Sequence, residues 1–342
     1  MRIGTRDIGL GHKPLVIAEI GINHEGSFEK ARAMVRCAAV AGAEVVKFQM
    51  HIIEDEMVPA AEFVIPANAD ESIYNIMARC RLTVEEHAHL KEIAESYGLI
   101  YLCTPFSRQA ADILEKMGVA AYKIGSGECN NVPLVKHIAA KGKPIILSTG
   151  MNDLTSIRTS VEILDMAGVD YALLHCTSLY PTPYAQVRLG AMVELQNEFP
   201  GIPVGLSDHS IGNYTSFGAV ALGASVVEKH FTVHKDWPGP DVPISIDPPE
   251  LADLVRGSRA VFEARGGRKE VLQEEQATID FAYASVVTIR EVAVGEEFTE
   301  DNLWVKRPGI GGIRASCYEQ ILGKKASCNI PADCQVTWGM IV

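Results

Sequence analysis

Two histidines end apolar runs that read as strands: His209 in VGLSDHS and His230 in VVEKHFT. A lone His on an apolar strand is more often a hydrogen-bonded core residue, but a pair at neighbouring strand ends could share one ion. Two imidazoles without a Cys or a clear third ligand leave coordination positions open, as a Lewis-acid catalyst requires and a structural zinc site avoids. Imidazole plus oxygen ligands suits Mn²⁺, Co²⁺, Zn²⁺ or similar ions better than Ca²⁺. Lys47 and Lys123 each follow apolar residues in a strand-like run. One such lysine usually snorkels or pairs with an acid, whereas two at one mouth favour an anionic substrate. A Schiff-base lysine is the other chemistry open to them, and it would need no metal. Ser148 with Thr149 and Gly150, and Ser207 with Ser210, add donors of the kind that grip phosphate or carboxylate. Glu19, Glu128 and Asp241 are candidate acid–base groups or acceptors for sugar hydroxyls, set against the plainer reading in which a strand-end Glu pairs with a Lys.

The elements that must position these residues are short Val- and Ile-rich runs, each followed by an amphipathic stretch, the pattern of a parallel sheet made of βα units. Eight such runs begin at Leu15, Glu44, Ile100, Ala121, Pro144, Tyr171, Val204 and Val226. One intervening helix opens with Thr83 three residues before Glu86, a capping box. Eight units in roughly 250 residues predict a TIM barrel, with a doubly wound sheet as the competitor. The barrel is preferred because nearly every strand ends in a polar residue: Glu19, Lys47, Gln49, Thr104, Lys123, Ser126, Glu128, Ser148, Ser178, Ser207, His209 and His230. In a barrel all of them converge on one mouth. Asp208, between Ser207 and His209, points the other way by strand alternation and takes a structural role.

The long stretch HIIEDEMVPAAEFVIPANADESIYNIMARC between the second and third strands reads as a functional insertion at that mouth. Beyond about Gln276 the helical pattern fades into short strand-like pieces, SVVTI, EEFTEDNLWV, RPGIGGI, ASCNI and QVTWGMIV. The expected division is a barrel over residues 1–270, a linker over 271–282 and a small β-rich domain over 283–342.

Composition bounds the partners. The sequence has 342 residues, 47% hydrophobic and 22% charged, with a formal net charge of -12. That argues against nucleic acid or an anionic membrane as partner, since either would need clustered Lys and Arg. MRIGTRDIGLGHKP lacks the apolar core of a signal peptide, and no apolar run is long enough to cross a bilayer, so a cytoplasmic location is expected. Eight cysteines are scattered without a CxxC pair, which suits reduced thiols, most of them inert and buried.

The ordered motifs AEIGINHEGS, EVVKFQ, HIIEDEM, NADESIY, CTPFSR, AYKIGSGECNN, KPIILSTGMN, YALLHCTSLYPTPY, GLSDHS and KHFT make the chain similar to the N-acetylneuraminate (sialic acid) synthase family, and GEEFTEDNLWVKRPGIG resembles that family's antifreeze-like domain. The resemblance covers nearly the whole length. It implies a TIM barrel followed by an antifreeze-like (β-clip) domain, in a domain-swapped homodimer where the small domain covers the partner's mouth. The implied reaction condenses phosphoenolpyruvate with N-acetylmannosamine to N-acetylneuraminate and phosphate, with Mn²⁺ or alternatively Mg²⁺ or Co²⁺. By motif, His209 and His230 hold the metal. Lys47, Thr104, Lys123, Ser126, Ser148, Ser178 and Ser207 line the phosphoenolpyruvate pocket. Glu19, Gln49, Glu128, Tyr180 and Asp241 face the sugar, Glu128 being a candidate for proton transfer, and Arg307 reaches in from the partner. Two positions depart from the pattern: Ser178 stands after HCT where the family often has Asn, and Met50 follows KFQ where a polar residue would be unsurprising. The alternatives are a legionaminate synthase acting on a diacetamido-trideoxy hexose, a metal-dependent barrel hydrolase, and a C-terminal ice- or carbohydrate-binding module without a catalytic part.

Overall fold

A computed structural model of the chain describes residues 1–67 and 69–342; Asn68, which opens the NADESIY motif, lies outside the described residues. The chain divides into two compact units, Met1–Gly266 and Gly267–Val342.

The first unit is built on one eight-stranded parallel sheet: β1 Leu15–Gly21, β2 Val45–Met50, β3 Ile100–Pro105, β4 Tyr122–Ile124, β5 Ile145–Ser148, β6 Tyr171–Cys176, β7 Val204–Asp208 and β8 Val226–His230. All eight lie on the runs expected to be strands. The last strand pairs with the first, from Val226 against Leu15 to His230 against Glu19, and β3 and β4, the two ends of the hydrogen-bonded order, lie against each other, so the eight strands curl into the (β/α)8 barrel. Helices follow the strands: α1 Phe28–Ala41 after β1; α2 Ile53–Glu56, α3 Ile73–Cys80 and α4 Val84–Ser96 after β2; α5 Arg108–Lys116 after β3; α6 Val132–Ala139 after β4; and α7 Leu154–Ala167 after β5. After β6 come α8 Tyr184–Val187 and α9 Leu189–Glu198, then α10 Tyr214–Ala221 after β7 and α11 Pro248–Ala264 after β8. The capping box forms at α4, where Thr83 Oγ1 accepts from the Glu86 amide and Glu86 Oε2 accepts from the Thr83 amide at 2.8 Å.

Side chains alternate along each strand, so residues two apart share a face. On the inward face Leu15, Ile17, Val45, Leu102, Ala121, Ile146, Leu174 and Val226 pack with Ile3 and Ile8 of the N-terminal segment into an apolar plug. Two residues further along the same faces stand Glu19, Lys47, Thr104, Lys123, Ser148, Cys176 and Glu228, all buried. The barrel interior therefore changes from hydrocarbon to charge within one pleat. Met50, one residue off that face, is buried in the strand–helix core, which is why an apolar residue suits it.

Asp208 faces outward as expected, into a fully buried ion pair with Lys229 at 3.0 Å. It also accepts from the Ser210 amide at 2.9 Å and from the hydroxyls of Thr215 and Ser216 at 2.6 and 2.8 Å. Burial draws the Lys229 ammonium down against the pull of Asp208. The carboxylate is nonetheless so fully donated to that the charged pair is the stable state. Its own shift is downward: burial raises it, and Lys229 with the hydroxyl donors outweighs that.

The second unit has its own core of Val286, Val292, Phe298, Leu303, Ile313, Ile321, Ile330 and Val336. Two antiparallel strands, β9 Ser285–Thr288 and β10 Leu303–Lys306, make its small sheet. The other strand-like pieces of the sequence join by single bridges, Val287 with Gln335, Val292 with Ile330 and Ala326 with Ile341. Gly and Pro interrupt them too often for longer ladders. Residues 271–282, expected as a linker, include a helix, α12 Gln276–Ala282, tied to the second unit by Gly309 donating to the Asp280 carbonyl at 2.9 Å.

Lys229→Met strands the Asp208 carboxylate without a counter-charge and is expected to cost about 3–5 kcal/mol of unfolding free energy, measured by urea denaturation. A cost under about 1 kcal/mol, the range of exposed pairs, contradicts the assignment. The Asp208 contribution is present above the unfolded-chain value of about 3.9 and is lost as pH falls through the lower folded value.

Candidate active site

A cavity of about 340 Å³ opens at the C-terminal ends of the strands and is lined by Glu19, Lys47, Gln49, Thr104, Lys123, Ser126, Glu128, Ser148, Ser178, Tyr180, Ser207, His209 and His230. Thirteen of the fifteen residues singled out in the sequence thus meet in one place. Asp241 lies beside it, in the loop after β8, with Oδ2 3.7 Å from His230 Nδ1. Arg307 lies in the C-terminal unit, exposed, after β10. A larger neighbouring cavity, about 400 Å³, shares Met151 and Cys176 with this one but carries none of the paired charges.

At the floor, Lys47 Nζ is 2.8 Å from Glu19 and 3.7 Å from Glu228, and Lys123 Nζ is 3.9 Å from Glu228. Register sets this up: Glu19 stands level with Lys47 across β1 and β2, and Glu228 level with Ser207 across β7 and β8. Lys123 donates to Ser148 Oγ at 2.7 Å, and Ser207 Oγ donates to Glu228 at 3.1 Å. Burial would push both carboxyls up. In Glu228 the two lysines win and hold the carboxyl below its ordinary range. In Glu19 burial wins over Lys47, helped by the charge of Glu228, so its carboxyl is raised. Lys47 goes up, since its two carboxylates overcome burial, while Lys123 goes down because burial outweighs Glu228. The two carboxyls thus shift in opposite directions: Glu228 is held down by both lysines, and Glu19 is raised by burial while it stays paired with Lys47 at 2.8 Å.

On one wall the β5–α7 loop brings Gly150 close to two hydroxyls. Its amide donates to Ser126 Oγ at 3.0 Å, and a Cβ on Gly150 would stand 2.7 Å from Ser178 Oγ and 2.8 Å from Ser126 Oγ, so any larger residue would have to turn both hydroxyls away. Ser178 Oγ thus fills the space over Gly150 that a longer Asn would have to share. Opposite, Glu128 Oε2 is buried without a hydrogen-bond partner among the described residues, as is Glu228 Oε2. Burial, followed by the charge of Glu56, raises the Glu128 carboxyl. Orphan acceptors in a cavity suit a ligand that brings hydroxyls.

The histidine rings stand 5.3 Å apart between centroids, and Tyr180 stacks on His209 at 4.2 Å. His209 Nδ1 is 3.0 Å from the Thr177 carbonyl, so Nδ1 carries a hydrogen and Nε2 is the ring nitrogen left for another partner. His230 Nδ1 is buried without a hydrogen-bond partner among the described residues, and burial followed by the charge of His209 keeps that ring neutral. Burial lowers His209 in turn, but the Cys176 sulfur 3.8 Å from its Nδ1 and the Thr177 carbonyl carry it up to about 9. Burial likewise pushes the Asp241 carboxyl up to about 6. Among the described residues no group of three or more His, Cys, Asp or Glu is placed to hold a metal ion, so an ion on the two imidazoles would take the rest of its shell from water or substrate oxygens.

Three participants escaped the sequence reading. Glu228 sits two residues before His230 on the same face, so strand alternation in VVEKHF would have found it. Cys176, read as an inert thiol, lines the cavity beside His209. His51, two residues past Gln49, hydrogen-bonds Gln49 and Glu56.

An eight-stranded barrel with cationic, hydroxyl and histidine groups at its mouth, followed by a separate small β unit, defines a class of two-domain barrel synthases. The chain matches the NeuB family over residues 34–270 and the SAF domain over residues 283–342. It is 39% identical to the N,N'-diacetyllegionaminic acid synthase of Campylobacter jejuni, covering 94% of this chain and 98% of that protein. It is 33% identical to the N-acetylneuraminate-9-phosphate synthase of Homo sapiens, covering 96% and 92%. The crystal structure of N-acetylneuraminic acid synthetase from Leptospira borgpetersenii in complex with citrate superposes with a TM-score of 0.75 at 32% identity, over 82% of this chain and 94% of that one. The chain belongs to the NeuB family of sialic-acid-type synthases, and is a phosphoenolpyruvate-dependent enzyme with a C-terminal antifreeze-like domain. No helix among the described residues is long and apolar enough to cross a membrane.

Lys47→Met leaves two buried carboxyls short of a cation and is expected to lower kcat/KM by about 10²–10³-fold, the scale for one lost electrostatic partner. Steady-state kinetics within a few-fold of wild type would contradict the role given to the floor.

Proposed function

We propose that the enzyme joins C3 of phosphoenolpyruvate to the aldehyde carbon of an open-chain N-acetylated amino hexose. Water then adds at C2, and phosphate departs with cleavage of the C–O bond, leaving a nine-carbon 2-keto sugar acid. The observation that carries this reading is the buried Lys47–Glu228–Lys123 floor, flanked by hydroxyls and facing a histidine pair in one cavity.

Lys47 and Lys123, with Thr104, Ser126, Ser148, Ser178 and Ser207, hold the phosphate and carboxylate of the enol phosphate. Glu19, Gln49, Glu128, Tyr180 and Asp241 receive the sugar. Glu128, whose buried Oε2 has no hydrogen-bond partner among the described residues, is the acid–base group for proton transfer in this reaction. His209 and His230 hold the divalent ion, Mn²⁺ or alternatively Mg²⁺ or Co²⁺, which when bound polarises the aldehyde. Arg307 of a second copy, in a domain-swapped homodimer, completes the mouth.

The acceptor favoured by the comparisons is a diacetamido-trideoxy hexose, because identity to the Campylobacter jejuni legionaminic acid synthase, 39%, exceeds the 33% shared with the human enzyme. N-acetylmannosamine, expected from the sequence motifs, is the second acceptor. Incubating the enzyme with phosphoenolpyruvate, Mn²⁺ and each sugar, and following phosphate release with mass detection of the keto acid, is expected to give product with the diacetamido sugar at the higher kcat/KM. Product from neither sugar, or hydrolysis without phosphoenolpyruvate, contradicts the reading. In calorimetry with Mn²⁺ alone, His209→Ala is expected to abolish measurable binding while the circular dichroism spectrum is retained; unchanged affinity removes the ligand assignment. Arg307→Ala is expected to lower kcat/KM by about tenfold or more with folding intact, the worth of one charge-assisted contact, and unchanged kinetics removes the contribution from a second copy.

A further inference from the structure

His51 lies just beyond the end of β2, and the reaction above leaves it without a task. Its ring is buried and stacks on Phe106, with centroids 4.5 Å apart and planes 15° apart. Nδ1 is 3.1 and 2.9 Å from the two carboxylate oxygens of Glu56 on α2. That helix is itself anchored, since Asp55 Oδ2 accepts from the Gln109 amide of α5 at 2.8 Å. Nε2 of the ring is 3.1 Å from Oε1 of Gln49, and the other end of the same amide donates from Nε2 to Glu19 Oε1 at 3.0 Å.

An amide is nearly symmetric in shape, so its partners decide which end faces where. A Glu19 carboxylate only accepts, and it selects the NH2 end. Oε1 then faces His51 and is satisfied only if Nε2 carries a hydrogen. A ring with its hydrogen on Nδ1 alone would set a lone pair against Oε1 and favour turning the amide round, which places Oε1 against Glu19. Backbone closes the remaining side: a Cβ on Gly21, at φ +52°, would stand 3.2 Å from Glu19 Oε1 and 3.4 Å from Gln49 Nε2.

We propose that His51 is a positioning residue for the sugar side of the site: stacked on Phe106 and donating from Nδ1 to the Glu56 carboxylate, it also donates from Nε2 to Gln49 and keeps the amide nitrogen on Glu19. This rests on the reading in which Glu19 and Gln49 face the sugar. It also gives the insertion after β2 a function, because Glu56 belongs to its first helix and acts on Glu19 through two intervening side chains.

The test begins with full-length enzyme carrying ¹⁵N-labelled histidine, free of substrate, with the His51 signals identified by their loss in His51→Phe. A hydrogen on Nε2 is expected, and a bare Nε2 overturns the proposal. His51→Phe keeps the ring stack and is expected to raise KM for the acceptor sugar about tenfold, the worth of one hydrogen bond to a charged or aligned partner. KM for phosphoenolpyruvate is expected to stay within twofold. In a double-mutant cycle, His51→Phe with Gln49→Leu should lose no more than Gln49→Leu alone, because His51 acts through Gln49. Additive losses, or equal rises in both KM values, overturn it. If His51→Phe does not fold, His51→Gln goes through the same cycle with the same expectation. A kinetically silent Gln49→Leu with Nε2 still protonated removes Gln49 from the sugar side and leaves the His51–Gln49 clamp standing.

Discussion

Lys47 sits 4% exposed with one carboxylate at 2.8 Å and another at 3.7 Å, and everything else in the barrel mouth is arranged around that cluster. Bringing four ionisable groups out of water is costly unless each finds a partner. The apolar plug of Leu15, Ile17, Val45, Ile146 and Val226 beneath them removes water from one side and makes every charge above it count for more. Parallel pairing with fixed register then leaves little freedom. Glu19, Lys47, Lys123 and Glu228 must project into the same layer, and Ser148 and Ser207 supply the hydrogen bonds the ions lack. The buried ammonium groups of Lys47 and Lys123 suit an anion with a phosphate and a carboxylate, while the oxygens of Glu228 and Glu128 that lack partners among the described residues suit a ligand's hydroxyl donors.

The same alternation explains how neighbouring residues divide their labour. In SDHS, Ser207 and His209 face the cavity while Asp208 turns outward to Lys229. In VVEKHF, Glu228 and His230 face in and Lys229 faces out. Each strand end serves both sides of the sheet: the inward residues make the site, and the outward ion pair holds the end of β7 to the end of β8. Rigid placement of catalytic groups follows from packing on both faces.

Much of this was legible in the sequence because period and strand-end polarity are local properties. The eight strands lie where Val- and Ile-rich runs place them, and the residues at their polar ends line one cavity. What was missed depended on distance. Glu228 was not singled out in VVEKHF, because only register sets it beside Lys47 and Lys123. Cys176 looked like an inert core thiol until β7 brought His209 to it. His51 is two residues from Gln49, yet its meaning lies in Glu56 and Phe106, one in the insertion and one beyond β3. The helix at Gln276–Ala282 reads as linker because the stretch EARGGRKEVLQEEQATID is polar, and in the structure none of its helical residues is buried. The C-terminal unit reads as more strand-rich than it is, since isolated bridges and extended turns share the composition of strands.

The measurement that bears most directly on the charged floor is a crystal structure of the enzyme with phosphoenolpyruvate and Mn²⁺. The account predicts the enol phosphate above Glu228, with its phosphate and carboxylate oxygens on Lys47 and Lys123, and the ion on His209 and His230. Phosphoenolpyruvate bound away from both lysines, or an ion held without either histidine, would contradict it.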